Sequence, residues 1–264
     1  MNTRHSIVIL LVIAVIAAAY FSNQATPPPG AAGSSARPAP EACAVAGQAD
    51  GHVLALSWQP GFCETNRRKP ECRDNTENPP AYEFSLHGLW PNKDSCGTRY
   101  GYCGPVKSSD KGFCNLPPVP LAPATQAALA QVMPSAEAGS CLERHEWHKH
   151  GTCQTQWDAD EYYRLSIRLT EEFNHPALVA FIRDHYGATV EVKDFHQTVD
   201  EAFGKEASKR LRLGCKKGNL VDVYLALPAV IPATETLPRL IQDAESVDHG
   251  NCGARFKLDA AGYE

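Results

Sequence analysis

The chain has 264 residues, 43% of them hydrophobic and 21% charged, enough apolar material for a sizeable core, which excludes a wholly disordered or collagen-like chain. Lys and Arg number 25 against 30 Asp and Glu, a formal charge of −5. That balance excludes a broad basic surface of the kind that grips duplex DNA, so any work on nucleic acid must fall to a local site.

In chain order, Arg4 precedes an apolar run from Ile7 to Phe21 with Ala17, Ala18 and Ala19 near its exit. A basic start, a short apolar stretch and small residues at the end predict a secretory signal over 1–24. The run falls short of the about 20 residues that span a bilayer, and the competing reading is an uncleaved signal anchor. Either way the body crosses a membrane. Removing 1–24 takes away Arg4 and no acid, so the mature chain is one charge more negative. Residues 25–42, rich in Pro, Ala, Gly and Ser, read as a flexible or polyproline-like linker that buries no core. With no internal repeat and no second linker, 43–264 is expected to be a single domain. Its ten cysteines begin at Cys43, and after an export signal an even number suggests up to five disulfides. A structural zinc site wants Cys-x-x-Cys pairs, which are absent.

His52–Gln59 predicts a strand with Leu54, Leu56 and Trp58 on one face, stopped by Pro60-Gly61, and Ala81–His87 alternates strictly as a second strand. Thr125–Met133 has helical composition and stops at Pro134. Asp158, with Glu161 three residues on, caps a helix carrying Tyr162, Leu165, Leu169 and Phe173 at helical spacing. Pro176–Tyr186 and Asp194–Phe203 predict helices ended by Gly187 and Gly204, and Asn219–Leu227 the best late strand. The irregular interleaving favours an α+β fold over a doubly wound one.

Two segments concentrate chemistry. In Phe84–Pro91 (FSLHGLWP) the alternation puts His87 on the polar face at a strand end. Gly88 removes a side chain beside it so that a ligand can approach the backbone, Trp90 adds a flat apolar surface, and Pro91 halts pairing. In Cys141–Cys153 (CLERHEWHKHGTC), a helix over Leu142–His150 would place Glu146, Lys149 and His150 on one arc about 100° wide, with His145 at its edge and Trp147 and His148 pointing elsewhere. Gly151 would end that helix and Cys153 pin it to another element. A solvated charged face is the plain alternative. Against it stand the tryptophan, the bracketing cysteines and three histidines in six positions. A metal reading fails the His-Glu-x-x-His pattern, because Lys149 stands where the second His would be. His145, His148 and His150 would also have to ligate from different helix faces beside an ammonium. Without metal, two imidazoles can supply a base and an acid, and a lysine can hold charge developing on a phosphoryl oxygen. Cleavage of RNA through its own 2′-hydroxyl needs those groups, and DNA, which lacks that hydroxyl, could bind but not react.

At these residues the chain resembles the ribonuclease T2 family. His87–Pro91 and His145–Cys153 match its two active-site segments without a gap and in order. Looser similarity extends over Leu54–Cys63, Glu71-Cys72-Arg73 and Asn251-Cys252-Gly253, most like the exported bacterial branch. The resemblance implies an α+β fold built on an antiparallel sheet flanked by helices and stapled by disulfides. It implies His87 as general acid, His150 as general base, Glu146 and Lys149 as stabilisers of the pentacoordinate phosphorus state, His145 as a phosphate ligand and Trp90 as a base-stacking aromatic. Spacing by itself leaves open which imidazole starts protonated. His148 fills a variable slot and is expected to be dispensable, while Asn92 stands where some members carry a base-site Asp. The resemblance also suggests Cys215 with Cys252, and Cys153 with Cys96, Cys103 or Cys114; the partner of Cys43 stays open. Signal and resemblance together imply a periplasmic or secreted endoribonuclease acting as a monomer on single-stranded RNA with low base specificity, with no metal, no cofactor and no membrane partner beyond a retained anchor. A silent RNA-binding relative and a histidine-cluster metalloenzyme are the rivals.

Overall fold

The computed structural model describes residues 40–73, 82–136 and 139–262; the expected signal at 1–24 and the expected linker up to residue 39 lie outside the described residues. A 3-10 turn, Pro40–Cys43, already takes up the last residues of that linker. Strand β1 (Gly51–Ser57) pairs antiparallel on one side with β2 (Ser85–Asn92) and on the other with β5 (Asn219–Pro228). β4 (Leu211–Lys216) also pairs antiparallel with β5, and β6 (Arg255–Lys257) links β5 to β3 (Thr189–Glu191). The sheet is antiparallel apart from the β5–β6 pairing, which is parallel.

Seven α-helices lie among the described residues: α1 (Gln59–Thr65), α2 (Pro123–Val132), α3 (Leu142–Lys149), α4 (Ala159–Phe173), α5 (Pro176–Asp184), α6 (Val192–Phe203) and α7 (Leu237–Asp243). None of them is long and apolar enough to cross a membrane. The predicted capping box of α4 is present, with the Asp158 carboxylate accepting from Glu161 N and the Glu161 carboxylate from Asp158 N. α4 turns Tyr162, Leu165, Leu169 and Phe173 into one core with Leu54, Leu56, Leu86, Leu89, Val223 and Leu225 of the sheet and Phe195 of α6. Trp58, Phe84 and Phe173 meet edge to face within it, a geometry that adds to the burial of the rings.

Three expectations change. Pro60-Gly61 ends β1 but starts α1, where Pro60 occupies the first turn and lacks only an amide that would be unpaired anyway. The second strand begins at Ser85, not Ala81: Ala81 lies outside the described residues, and both backbone groups of Phe84 are taken by the Asn174 side chain, at 2.8 and 2.9 Å. That strand also runs through Pro91, which sits opposite His52, so the proline does not halt pairing. β2 is an edge strand, where a missing N–H costs no ladder bond.

All ten cysteines are paired: Cys43–Cys96, Cys63–Cys72, Cys103–Cys153, Cys114–Cys141 and Cys215–Cys252. Four of the five lie in the loop-rich half before residue 154. In such a domain a native bridge is worth about 2–4 kcal/mol, and here they hold the loops around α3.

Candidate active site

Helix α3 lies along edge strand β2. It starts at Cys141, held at φ 56° and bridged to Cys114, and ends at His150, whose backbone N–H donates to Glu146 O at 2.9 Å. Glu146 is 1% exposed. Its carboxylate accepts from Trp90 Nε1 at 2.5 Å and stands directly over Gly88, where a Cβ would come within 2.1 Å of Glu146 Oε2. The missing side chain of Gly88 thus makes room for the Glu146 carboxylate, where the sequence suggested room for a ligand. The α-helix does end just before Gly151, with His150 as its C-cap. Gly151 opens a 3-10 turn (Gly151–Cys153), and a Cβ there would strike the Trp147 ring at 2.3 Å.

His87 is not at a strand end. It is the extra residue of a bulge in β2: Gly88 pairs with Ala55 and Leu86 with Leu56, leaving His87 without a partner. A bulge of this kind re-aims a side chain. Here Leu86 and Leu89 enter the core while His87 and Trp90 face the cleft. The His87 ring meets the Trp90 indole edge-on at 5.2 Å, and the His150 ring stacks on the same indole at 5.0 Å. The two imidazoles therefore flank one aromatic side chain. Glu146 Oε1 lies 3.8 Å from His87 Nε2, and Asp222 Oδ1 of β5 lies 3.6 Å from His87 Nδ1.

The electrostatics of the two rings differ in sign. Burial disfavours the charged form of His87, but the Asp222 carboxylate and Glu146 outweigh it, and the pKa is raised above 6.5. Burial drives His150 well below 6.5, and Lys149 and the neighbouring imidazoles push it the same way. His150 Nδ1 is buried without a hydrogen-bond partner among the described residues, which leaves Nε2 as the nitrogen to exchange a proton. Burial raises Glu146, opposed by His87, Trp90 and Lys149. His145, stacked on Phe113 at 4.1 Å, is pushed down to about 4, mainly by burial and then by Lys149.

The structure thus gathers His87, Trp90, His145, Glu146, Lys149 and His150 at one cleft. As expected, Trp147 and His148 turn away: Trp147 packs edge-on against Tyr162, and His148 is buried and bonded to Pro117 O at 2.9 Å. The metal trio weighed from the sequence does not form, because His148 is elsewhere, although donor atoms of His145, Glu146 and His150 lie within 4.8 Å of one another. A cation there would compete with Trp90 for Glu146 and sit beside the Lys149 ammonium. Trp90 has one face on His150 and its N–H on Glu146, so it braces the cleft in addition to offering surface.

Sequence reasoning missed Asp222, Phe113 and Lys69. An acid inside the apolar run of β5 was the available signal for Asp222, which also accepts from Ser57 Oγ at 3.0 Å. Phe113 and Lys69, placed against each other at 5.7 Å, come from loops with no periodicity to read. Beside His87 opens a hollow of about 270 Å³, lined by Ser57, Gln59, Asn66, Lys69, Phe113 and Leu142 among others.

Residues 49–232 match the model of the ribonuclease T2 family. Ribonuclease I of Escherichia coli is 35% identical over 247 residues, which cover 82% of this chain and 88% of that protein. Ribonuclease 3 of Arabidopsis thaliana is 26% identical over 217 residues, covering 79% and 89%. Among solved structures, Actibind, described as a T2 ribonuclease, shares the fold with a TM-score of 0.53 over 84% of this chain and 92% of its own, at 16% identity.

Proposed function

This chain belongs to the ribonuclease T2 family, and on that premise we propose that it is an exported endoribonuclease that cleaves single-stranded RNA without metal, through a 2′,3′-cyclic phosphate and with low base specificity. In this reading 1–24 is the export signal, 25–42 a linker and 43–264 the ribonuclease domain. The observation that carries it is the opposed tuning of two imidazoles on either side of Trp90. Environments that push two pKa values apart assign an acid and a base.

Neutral His150 takes the proton of the 2′-hydroxyl. The 2′-oxygen attacks phosphorus, the bond to the 5′-oxygen breaks, and protonated His87 supplies that oxygen's proton. Lys149 lies beside both His145 and His150 electrostatically and balances the charge that grows on the phosphoryl oxygens. His145, neutral at working pH, serves as a hydrogen-bond donor to phosphate. Asp222 keeps His87 charged and oriented, a positioning role. Because the nucleophile belongs to the substrate, the chain's own residues account for every proton and charge in the step. In an acidic mature chain, histidines that gained charge near the phosphate would favour a mildly acidic optimum. The depressed pKa values of His145 and His150 remove that reason, and the acid preference comes down to His87 alone.

Digestion of RNA, DNA and 2′-O-methyl RNA in excess chelator, with end-group analysis, tests the reading. It predicts fragments ending in 2′,3′-cyclic phosphate from RNA alone. Loss of cleavage in chelator, or cleavage of the 2′-O-methyl strand, contradicts it.

A further inference from the structure

The hollow beside His87 adjoins a second groove. Asn66 and Lys69 line the hollow and also line this wider groove of about 620 Å³, together with Arg67, Arg68, Lys216 and Lys217. Glu64 is the single acid of that lining and pairs with Arg67. Among the described residues no carboxylate pairs with Arg68, Lys69, Lys216 or Lys217. In a chain with a formal charge of −5, composition alone does not produce such a cluster.

Two crosslinked loops present these cations. Arg67, Arg68 and Lys69 ride on the turn after α1, closed by Cys63–Cys72 and braced by Asn66 Nδ2 donating to Phe62 O at 2.8 Å and Lys69 N to Asn66 O at 2.9 Å. Lys216 and Lys217 sit at the tip of the β4–β5 hairpin, whose turn places Lys217 at φ 53° and Gly218 at φ 84°, next to the Cys215–Cys252 bridge. Arg68, Lys216 and Lys217 are exposed. Backbones held this way present charge at little ordering cost to a partner.

We propose that this groove is an extended subsite for the phosphodiester backbone of the RNA on the 3′ side of the cleaved bond, with Arg68, Lys216 and Lys217 pairing with its phosphates. The direction comes from the chemistry, and the inference rests on the cyclising reading given above. A group that protonates the departing 5′-oxygen must border the leaving nucleoside. His87 borders the 270 Å³ hollow, and that hollow shares Asn66 and Lys69 with the basic groove.

The test compares kcat/KM for a dinucleotide with that for the same dinucleotide extended by three nucleotides on the 3′ side or on the 5′ side. It uses the wild-type protein and the triple variant Arg68→Gln, Lys216→Gln, Lys217→Gln. At low salt the 3′ extension should raise wild-type kcat/KM about tenfold, since exposed charge pairs contribute modestly each and add over several phosphates. The 5′ extension should change it little. The triple variant should cleave the dinucleotide as the wild type does and lose the 3′ gain. Its slope of log kcat/KM against log salt on long RNA should also flatten by about 2, as the single-strand counterion rule gives for three phosphates. A 3′ gain that survives in the triple variant, or an equal gain from the 5′ extension, overturns the subsite. Dinucleotide cleavage by the wild type with no 3′ gain overturns the subsite alone, whereas a wild type that leaves all RNA intact overturns the parent reading and the subsite with it.

Discussion

The two faces of β2 and β5 carry opposite duties on adjacent residues. On one face Leu86, Leu89, Val223 and Leu225 are at most 2% exposed and lie in one core with α4, α6 and α7. On the other, His87, Trp90, Asp222 and Tyr224 gather around the cleft. Registry links the faces: Leu54 pairs with Leu89 and Leu225, and Ala55, one residue on, with Gly88 and Tyr224. The apolar face fixes the positions of backbone atoms, and the cleft face uses that rigidity to hold charges that would otherwise relax into water. Changes to one face should therefore alter stability and changes to the other alter turnover.

The largest effect should come from the imidazoles. His150→Ala or His87→Ala should each lower kcat by about 10²- to 10⁴-fold, the range of a lost general base or acid, with thermal unfolding of the variants checking that the fold persists. Gly88→Ala comes next: its methyl would displace the Glu146 carboxylate, and a misplacement of that size costs about 10²-fold in kcat. Leu225→Ala, on the opposite face, should lose about 2–5 kcal/mol of stability in a denaturant titration with kcat per folded molecule unchanged. If Leu225→Ala instead abolished turnover while leaving stability intact, the division between the faces would be wrong.

Smaller effects sharpen the division. Asp222 helps hold the pKa of His87 above 6.5, so Asp222→Asn should lower it. The acid form of His87 is lost as pH rises through its pKa, so the alkaline limb of the kcat/KM profile should move to lower pH. The acid limb, set by His150, should stay. His148→Ala should leave kcat unchanged but cost about 1 kcal/mol of stability, because it empties a buried position and removes the hydrogen bond to Pro117 O.

The sequence made the apolar face readable because period-2 and period-3.6 patterns survive in Leu54–Trp58, Asn219–Leu227 and the Tyr162–Phe173 helix. It made α3 readable through its arc of Glu146, Lys149 and His150. It hid the bulge at His87, since an extra residue in one strand is visible only against its partner, and it hid α1 because Pro60-Gly61 reads as a stop. It also hid Asp222, Phe113 and Lys69, whose meaning lies in contacts across loops and strands far apart in the chain. The elements that pack on their own pattern were legible; those defined by a distant neighbour were not.

Two histidines tuned in opposite directions within one cleft are the centre of the proposed mechanism. NMR titration of the His87 and His150 imidazole resonances in the full chain measures that tuning directly. His87 should titrate above 6.5 and His150 well below it. The reverse order, or both rings titrating together near 6.5, would contradict the assignment of acid and base and the mechanism drawn from it.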